Sequence, residues 1–214
     1  MSKPHSYMFD LDNTLYQDKS DFFESVKQKM NEYVSEFLNV SLEEAAIIRD
    51  DYYHKYGTTL TGLRKLHNAD PDHFLDYIDN VELHQLTPDY ELVDLIANLS
   101  GKRYILTNAS DFHAHRILKH LKLDEHFDGV FTLQTANHIP KPNMEYYRQF
   151  LKKYDVNPKG AVFFEDSSHN LLPAAELGMK TVLIKTACPK AMQHHTHQDV
   201  HYVVDCIKEH LAQY

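Results

Sequence analysis

An alternation of short apolar segments with helix-forming segments constrains the fold of this chain more than any other feature. From residue 101 onward, each apolar run has the length of a buried strand, and a segment with helical spacing separates it from the next run. Strands connected in this way pair in parallel, because each helix returns the chain across the sheet. We therefore predict an α/β fold with a doubly wound parallel sheet. Its predicted strands are a first one that starts near Tyr7 and ends on Asp10 and Asp12, followed by Arg103 to Thr107, Gly129 to Leu133, Ala161 to Glu165, Lys180 to Ile184 and His201 to Val204.

Residues 18–87 have a different character, because they are charged and rich in aromatic residues and contain no convincing strand. Apolar residues recur at helical spacing from Phe22 to Phe37, which predicts a long amphipathic helix. Ser41 and Glu44 have the spacing of a capping box, and Asp70-Pro71 is typical of a helix start. We predict an all-helical cap domain of residues 18–87 inserted into a core domain of residues 1–17 and 88–214.

The predicted core helices complete the alternation. Thr87-Pro88 is expected to begin a helix that ends near Ser100-Gly101. Further helices are predicted near Phe112 to Leu121, Met144 to Tyr154 and Leu171 to Leu177.

Polar side chains cluster where the predicted strands end. In a parallel sheet the carboxyl ends of the strands share one edge, and ligands bind there. Each residue alone has an ordinary interpretation as a cap, a turn residue or a solvated charge, but their coincidence at several strand ends favours a phosphate site. The residues are Asp10, Asp12, Thr107, Asn108, Lys141, Glu165 and Asp166.

Asp10 and Asp12 are the most informative of these residues. Side chains two residues apart on a strand point to the same side, so their charges repel unless a cation or a shared proton intervenes. A hard ion such as Mg²⁺ suits carboxylate and carbonyl oxygens and takes its remaining ligands from water and phosphate. A surface strand end with an Asx turn is the alternative that this segment alone leaves open.

Composition narrows the function further. The chain has 214 residues and a net charge of -9, which argues against binding a nucleic acid polymer through a basic surface. Apolar runs are too short to span a membrane, and the first residues do not resemble a signal peptide, so we expect a cytoplasmic protein with no membrane partner.

Cys188 and Cys206 show no disulfide framework. The histidines of residues 194–201 are irregularly spaced, which favours a solvated loop over a metal site.

Four motifs together make the chain resemble phosphatases of the haloacid dehalogenase superfamily, in order and in spacing. Asp10 to Leu15 is similar to the DxDxT signature, and Leu106 to Asn108 to the threonine motif. Lys141-Pro142 is similar to the lysine motif, and Phe163 to Asn170 to the acidic motif. The acidic motif departs from the usual pattern because Glu165-Asp166 stands where two aspartates are common. The resemblance implies a Rossmann-like core.

The resemblance also implies roles for the clustered residues. Asp10 is expected to attack phosphorus, and Asp12, as a carboxyl group of raised pKa, to protonate the leaving oxygen and later activate water. Thr107, Asn108 and Lys141 are expected to hold the phosphoryl oxygens. The expected Mg²⁺ ligands are Asp10, Asp166 and the carbonyl of Asp12; Glu165 is expected to reach a metal-bound water and Asn170 to orient the ligands.

A narrower resemblance concerns the pyrimidine 5'-nucleotidase branch. It rests on Asn13 to Tyr16, Tyr52 to Gly57, Gly62-Leu63 and Phe127 to Gly129. It implies hydrolysis of nucleoside monophosphates such as UMP and CMP. Tyr52 and Tyr56 are candidates for stacking on the base, and Arg64 for a polar contact, although tyrosines at this spacing also suit the interior of the cap.

Other functions stay open at this point. The chain could hydrolyse another small phosphomonoester, such as a sugar phosphate, or transfer the phosphoryl group to an alcohol. A non-catalytic phosphate-binding module that engages a protein partner is a third possibility, against which the Asp10 and Asp12 pair argues. Monomer and homodimer are equally compatible with the sequence.

Overall fold

The computed structural model describes residues 4–16, 22–186 and 199–214. The chain divides into two compact units, one formed by Met1–Gln17 with Thr87–Tyr214 and the other by Asp18–Leu86. Within the described ranges, no helix has both the length and the apolar character needed to cross a bilayer. The role of the inserted unit as a cap stays a prediction.

A parallel sheet forms the centre of the larger unit, in the strand order β3-β2-β1-β4-β5-β6. The order runs outward from β1 in both directions, and every strand pair is parallel. The predicted doubly wound, Rossmann-like fold class is therefore confirmed. The strands are β1 (Ser6–Phe9), β2 (Lys102–Leu106), β3 (Gly129–Phe131), β4 (Ala161–Glu165), β5 (Lys180–Ile184) and β6 (Tyr202–Val204).

Helices account for most of the remaining described residues. The inserted unit contains α1 (Phe22–Leu38), α2 (Leu42–Tyr56), α3 (Thr59–His67) and α4 (Pro71–Ile78). The larger unit contains α5 (Tyr90–Ala97), α6 (Asp111–His120), α7 (Met144–Tyr154), α8 (Ser168–Glu176) and α9 (Ile207–Leu211), with short 3-10 turns at Asp124–His126 and Pro158–Gly160.

Several predicted boundaries need correction, because local capping determines where helices begin. The helix predicted from Thr87-Pro88 begins at Tyr90, since the Asp89 side chain accepts a hydrogen bond from the Leu92 amide at 3.1 Å. The helix α8 begins at Ser168, three residues before the predicted start. The helix α3 was not predicted at all; the Thr58 hydroxyl caps it by accepting from the Thr61 amide at 3.0 Å.

Most strand ends shift by one or two residues relative to the prediction. The strand β1 ends at Phe9, so Asp10 and Asp12 follow the strand instead of lying on it. The strand β2 covers Lys102–Leu106, β3 stops at Phe131 instead of Leu133, and β6 begins at Tyr202 instead of His201. Thr107 therefore follows β2 rather than ending it, although its amide still donates to the Phe131 carbonyl at 3.0 Å.

The core on one face of the sheet is rich in aromatic residues and positions the strand ends. The side chains of Tyr146 and Tyr147, on α7, are fully buried. The Tyr146 hydroxyl donates to the Thr107 carbonyl at 3.0 Å and to the Phe131 carbonyl at 2.8 Å. Burial of such rings stabilises the fold, and the hydroxyl contacts join the ends of β2 and β3.

The inserted unit confirms two predicted helix starts. Ser41 and Glu44 form a reciprocal capping box, and Asp70 accepts hydrogen bonds from two amides at the start of α4. Gly62 on α3 lies directly against the Tyr52 ring, and a Cβ at this position would lie 2.4 Å from Tyr52 Cγ. Glycine therefore allows α2 and α3 to approach closely.

The predicted histidine loop is only partly described. His194, His195 and His197, like Cys188, lie outside the described residues. The ring of His201 lies against Thr181, with 2.8 Å between Thr181 Oγ1 and His201 Nδ1.

Candidate active site

The carboxyl edge of the sheet brings together polar residues from three adjacent strands. β1 lies between β2 and β4, so Asp10, Thr107 and Glu165 become neighbours although they are far apart in sequence. Asp10, Thr107 and Glu165 are buried. Burial of polar groups is costly unless each finds a partner, and the contacts at this edge provide those partners.

Lys141 is the centre of this arrangement. Its side chain is 1% exposed, and Nζ donates to Asp10 Oδ1 at 2.6 Å, to Glu165 Oε2 at 2.7 Å and to the Leu106 carbonyl at 2.8 Å. All three ammonium hydrogens therefore have acceptors. Burial by itself lowers the pKa of Lys141, but the carboxylates of Asp10 and Glu165 outweigh burial and raise this pKa well above its ordinary value.

Asn108 holds the backbone of Lys141. Its Oδ1 accepts from the Lys141 amide at 2.8 Å, and its Nδ2 donates to the Lys141 carbonyl at 3.1 Å. Both polar atoms of the Asn108 side chain are therefore hydrogen-bonded to the main chain of Lys141. The predicted contact between Asn108 and a phosphoryl oxygen stays a prediction.

Thr107 is almost fully buried at the end of β2. Its Oγ1 accepts from the Ala109 amide at 3.0 Å. A hydroxyl that accepts in this way can still donate its own hydrogen to an anion. This geometry suits the predicted role in phosphate binding, which stays a prediction.

Asp10, Glu165 and Asp166 form a carboxylate cluster. Each residue offers an oxygen, and these oxygens all lie within 4.8 Å of one another. Burial, followed by the charge of Glu165, raises the pKa of Asp10 to about 8. Burial and the charges of Glu165 and Asp10 raise the pKa of Asp166 well above its usual range. One ammonium, that of Lys141, therefore does not compensate three ionised carboxyl groups, and a further cation in the cluster would favour their ionised forms.

This donor set fits a hard divalent cation. Oxygen ligands and an excess of negative charge are what Mg²⁺ requires, and the predicted ligands Asp10 and Asp166 both belong to the cluster. The two carboxylate oxygens of Glu165 already accept hydrogen bonds, Oε1 from the Ser167 amide at 3.1 Å and Oε2 from Lys141. An indirect role for Glu165 at the metal site agrees with these contacts.

Asp12 has surroundings that the sequence analysis did not anticipate. Its Oδ1 accepts from the Tyr16 hydroxyl and lies 3.2 Å from Nε2 of His113. Burial by itself raises the pKa of Asp12, but the contacts with His113 and Tyr16 outweigh it and lower this pKa below its ordinary value. The expectation of a raised pKa for Asp12 is therefore wrong for this arrangement.

His113 and Tyr16 are the site residues that the sequence analysis missed. Tyr16 lies four residues after Asp12, a spacing that a turn can bring into contact. His113 lies in the first turn of the helix that follows the Thr107-Asn108 strand end. These two positions in the sequence were the signals that could have identified Tyr16 and His113 as site residues. Neither position shows that both side chains contact Oδ1 of Asp12.

Asn170 lies in the first turn of α8. Its main-chain carbonyl accepts from the hydroxyl of Tyr147 on α7. This contact anchors the start of α8 beside the acidic cluster, whereas a direct effect of the Asn170 side chain on ligands stays a prediction.

The predicted cap contacts form a cluster within the inserted unit. The Tyr52 hydroxyl is 2.7 Å from Nε2 of His67, and the Tyr52 and Tyr56 ring centroids are 5.8 Å apart. Arg64 is half-buried on α3. These contacts suit the packing alternative for Tyr52, and substrate contacts by Tyr52, Tyr56 and Arg64 stay predictions.

Known proteins are similar to this chain in sequence or in fold. Phosphate metabolism protein 8 of Saccharomyces cerevisiae is 29% identical over 195 residues, which are 83% of this chain but only 60% of the yeast protein. Glyceraldehyde 3-phosphate phosphatase of Methanocaldococcus jannaschii is 27% identical over 216 residues, 94% of this chain and 93% of that protein. CbbY from Rhodobacter sphaeroides, solved with phosphate, has a similar fold, with a TM-score of 0.69 and 19% identity over 96% of each chain.

The family comparison covers the whole candidate site. Residues 7–184 match the family described as haloacid dehalogenase-like hydrolase. This range includes Asp10, Thr107, Lys141 and the acidic cluster, and it covers more than half of the chain. The chain therefore belongs to the haloacid dehalogenase-like hydrolase family.

Proposed function

We propose that this chain is a Mg²⁺-dependent phosphomonoesterase that hydrolyses pyrimidine nucleoside 5'-monophosphates of the UMP and CMP type. The observation that carries the proposal is the buried Lys141 ammonium between Asp10 and Glu165 at the carboxyl edge of the sheet. A carboxylate nucleophile beside a fixed cation suits attack on an anionic phosphate ester, because the cation offsets the charge repulsion.

The first step transfers the phosphoryl group to the enzyme. A carboxylate oxygen of Asp10 forms a bond to phosphorus while the bond between phosphorus and the ester oxygen breaks. The electron pair of the broken bond stays on the leaving oxygen, which takes a proton from the carboxyl group of Asp12. In the substrate complex the negative charge of the phosphate ester raises the pKa of Asp12 from its lowered value, so that this group can carry the proton. The products of this step are the free alcohol and an aspartyl phosphate.

The second step restores the enzyme. A water oxygen attacks phosphorus and gives a proton to the Asp12 carboxylate, while the bond from Asp10 to phosphorus breaks. Inorganic phosphate leaves, and Asp10 is again a carboxylate. Thr107 donates its hydroxyl hydrogen to a phosphoryl oxygen in both steps. The Lys141 ammonium, whose hydrogens are bound by Asp10, Glu165 and the Leu106 carbonyl, acts through its charge and offsets the negative charge of the transition state.

The acidic cluster would hold the metal ion. Asp10 and Asp166 would be its carboxylate ligands, with the Asp12 carbonyl as a further oxygen ligand. When bound, Mg²⁺ supplies positive charge that stabilises negative charge on the phosphoryl group.

Support for pyrimidine nucleotides comes from sequence resemblance in the inserted unit, at Tyr52 to Gly57 and Gly62-Leu63. A second candidate substrate class is supported by a relative. The Methanocaldococcus jannaschii protein matches almost the whole chain, and its name specifies glyceraldehyde 3-phosphate. A small sugar phosphate is therefore the alternative that a substrate comparison must include.

A substrate panel tests the proposal. Phosphate release is measured from UMP, CMP, dUMP, AMP, GMP, glyceraldehyde 3-phosphate and other sugar phosphates, with Mg²⁺ and with EDTA. We expect UMP or CMP to give the highest kcat/KM, EDTA to abolish turnover, and Asp10→Asn to reduce kcat by at least about 10⁴-fold, since loss of a nucleophile removes the covalent route. Asp94→Asn, at an exposed position on α5, is the matched control and should keep full activity.

Each other outcome points to a different function. Faster hydrolysis of sugar phosphates than of nucleotides overturns the substrate class and keeps the phosphatase assignment. Phosphorylated alcohol in place of inorganic phosphate, when a nucleoside or sugar acceptor is added, identifies a phosphotransferase. Phosphate binding without turnover of any ester identifies a binding module.

A further inference from the structure

Two buried side chains hold the same oxygen of Asp12. Tyr16 and His113 are 9% and 6% exposed, and both contact Asp12 Oδ1. Oδ2 is therefore the oxygen of this carboxyl group that these two partners do not use. Asp12 itself is separated from His113 by 101 positions in sequence, so the fold brings the contact about.

The backbone of His113 is fixed independently of Asp12. Its amide donates to Oγ of Ser110, the N-cap of α6, at 2.9 Å. An N-cap of this kind orders the first turn of the helix. The imidazole consequently projects from an anchored position, and its Nε2 reaches Asp12 Oδ1 at 3.2 Å.

The ionised state of Asp12 determines which atom donates the hydrogen bond between Asp12 and His113. An ionised carboxylate only accepts hydrogen bonds, so the Nε2 atom facing it must carry the hydrogen. The Tyr16 hydroxyl donates to the same oxygen. With Oδ1 occupied by two donors, a proton carried by the Asp12 carboxyl group resides on Oδ2.

We propose that His113 is a positioning residue for Asp12: its Nε2–H and the Tyr16 hydroxyl hold Oδ1, so that Oδ2 exchanges the proton with the leaving oxygen. This inference rests on the proposed function, because it assigns a task within the first step of phosphomonoester hydrolysis. It adds a side chain that acts through Asp12 and does not itself contact phosphorus.

The test compares two phosphate esters whose leaving oxygens differ in how much they require protonation when the bond to phosphorus breaks. An alkyl phosphate releases a strongly basic alkoxide unless the oxygen is protonated, whereas p-nitrophenyl phosphate releases a phenolate that is stable without a proton. Rapid-quench measurement of alcohol or phenol release in the first turnover, with enzyme and Mg²⁺ in excess, isolates the step in which Asp12 donates. The alkyl ester is the one that wild type hydrolyses fastest in the substrate panel.

We expect His113→Ala to slow alcohol release from the alkyl ester by about 30-fold or more and phenol release by less than about 3-fold, because general acid catalysis contributes roughly 10²- to 10⁴-fold. His113→Gln, which keeps an N–H donor near the same place, should recover most of the loss. His115→Ala changes an exposed histidine on the same helix and should leave both rates unchanged. In an Asp12→Asn background, His113→Ala should cause no further loss.

Three results would overturn the inference. Equal losses on the two esters, or a further loss in the Asp12→Asn background, would show that His113 does not act through Asp12. An unchanged rate for the alkyl ester in folded His113→Ala, verified by circular dichroism, would show that the contact is dispensable. If this variant does not fold, His113→Phe, which keeps a ring but has no N–H donor, decides in the same way. If the wild-type enzyme cleaves neither ester, the proposed function is overturned. If the wild-type enzyme cleaves both esters but the His113 variants do not show the expected losses, only this inference is overturned.

Discussion

Asn108 shows how one side chain can shape the site without a charge of its own. Its side-chain amide binds the main chain of Lys141 in the way that a neighbouring strand would, because it forms hydrogen bonds with both the N–H and the C=O of that residue. The lysine side chain then extends to Asp10 and Glu165 from a fixed backbone. Since hydrogen bonds to a side-chain amide require correct placement of two atoms, small changes at position 108 should move the ammonium group.

Replacing Asn108 tests this role. We expect Asn108→Ala to lower kcat/KM by about 10-fold or more and the free energy of unfolding by roughly 1–2 kcal/mol, because two hydrogen bonds to Lys141 are lost. Steady-state kinetics and urea unfolding measure the two effects. Asn80→Ala, at an exposed position after α4, is the matched control.

A double-mutant comparison separates positioning from substrate contact. If Asn108 acts through Lys141, Asn108→Ala should have little further effect on kcat/KM in a Lys141→Ala background. The same fold loss in both backgrounds would instead support the direct substrate contact that the sequence resemblance implies.

At the scale of the elements, side chains join strands at their starts as well as at their ends. Asp128, just before β3, accepts from the Arg103 amide at 2.9 Å and from Lys102 Nζ at 2.6 Å. Burial by itself raises the pKa of Asp128, but the hydrogen bonds from Lys102 and Arg103 outweigh it and hold the pKa below 3.8. The start of β3 is thereby tied to the start of β2.

This linkage predicts a pH-dependent stability difference. Because the folded pKa lies below the unfolded value, the contribution of Asp128 is present above about pH 4 and is lost as pH falls through the lowered folded pKa. We expect Asp128→Asn to reduce the free energy of unfolding at pH 7 by about 0.5–1 kcal/mol. Urea unfolding at several pH values should show the difference between variant and wild type shrinking below pH 4; a constant difference would contradict this explanation.

At the scale of the whole molecule, the candidate site concentrates negative charge in a protein that is already acidic. The net charge is -9, and the pKa of Asp10 is raised to about 8 by burial and by Glu165. Such a site costs stability in the absence of a counter-ion, because its carboxylates repel one another. A bound cation should therefore stabilise the fold as well as support turnover.

Magnesium ions should raise the thermal unfolding temperature of the wild-type protein. At a concentration of 100 times Kd, binding to the folded state contributes about 2.7 kcal/mol. Asp166→Asn removes one proposed ligand and should abolish most of this stabilisation, while Asp94→Asn should retain it. Thermal unfolding with Mg²⁺ and with EDTA measures the effect, and an equal Mg²⁺ effect in the Asp166→Asn variant would place binding elsewhere.

Local sequence patterns predicted much of the fold. Apolar runs and helical periods depend on neighbouring residues, so they identified the sheet strands to within three residues at each end and the capping box of Ser41 with Glu44. The helix α3 escaped prediction because its hydroxyl cap at Thr58 is a weak signal, whereas the shorter α4 has the clear start Asp70-Pro71. The start of α5 was misplaced because Pro88 resembles a first helical residue, while the actual cap is Asp89.

The sequence alone determined the fold class and the set of side chains at the carboxyl edge, because a parallel sheet brings all its strand ends to one side. Only the tertiary structure decided how those side chains pair. It placed Lys141 against Asp10 across 131 positions, gave the Asn108 amide to the lysine backbone, and set His113 beside Asp12, lowering the pKa that had been expected to rise. Such pairings depend on loop paths and helix packing, and contacts between distant segments leave no periodic signal in the sequence.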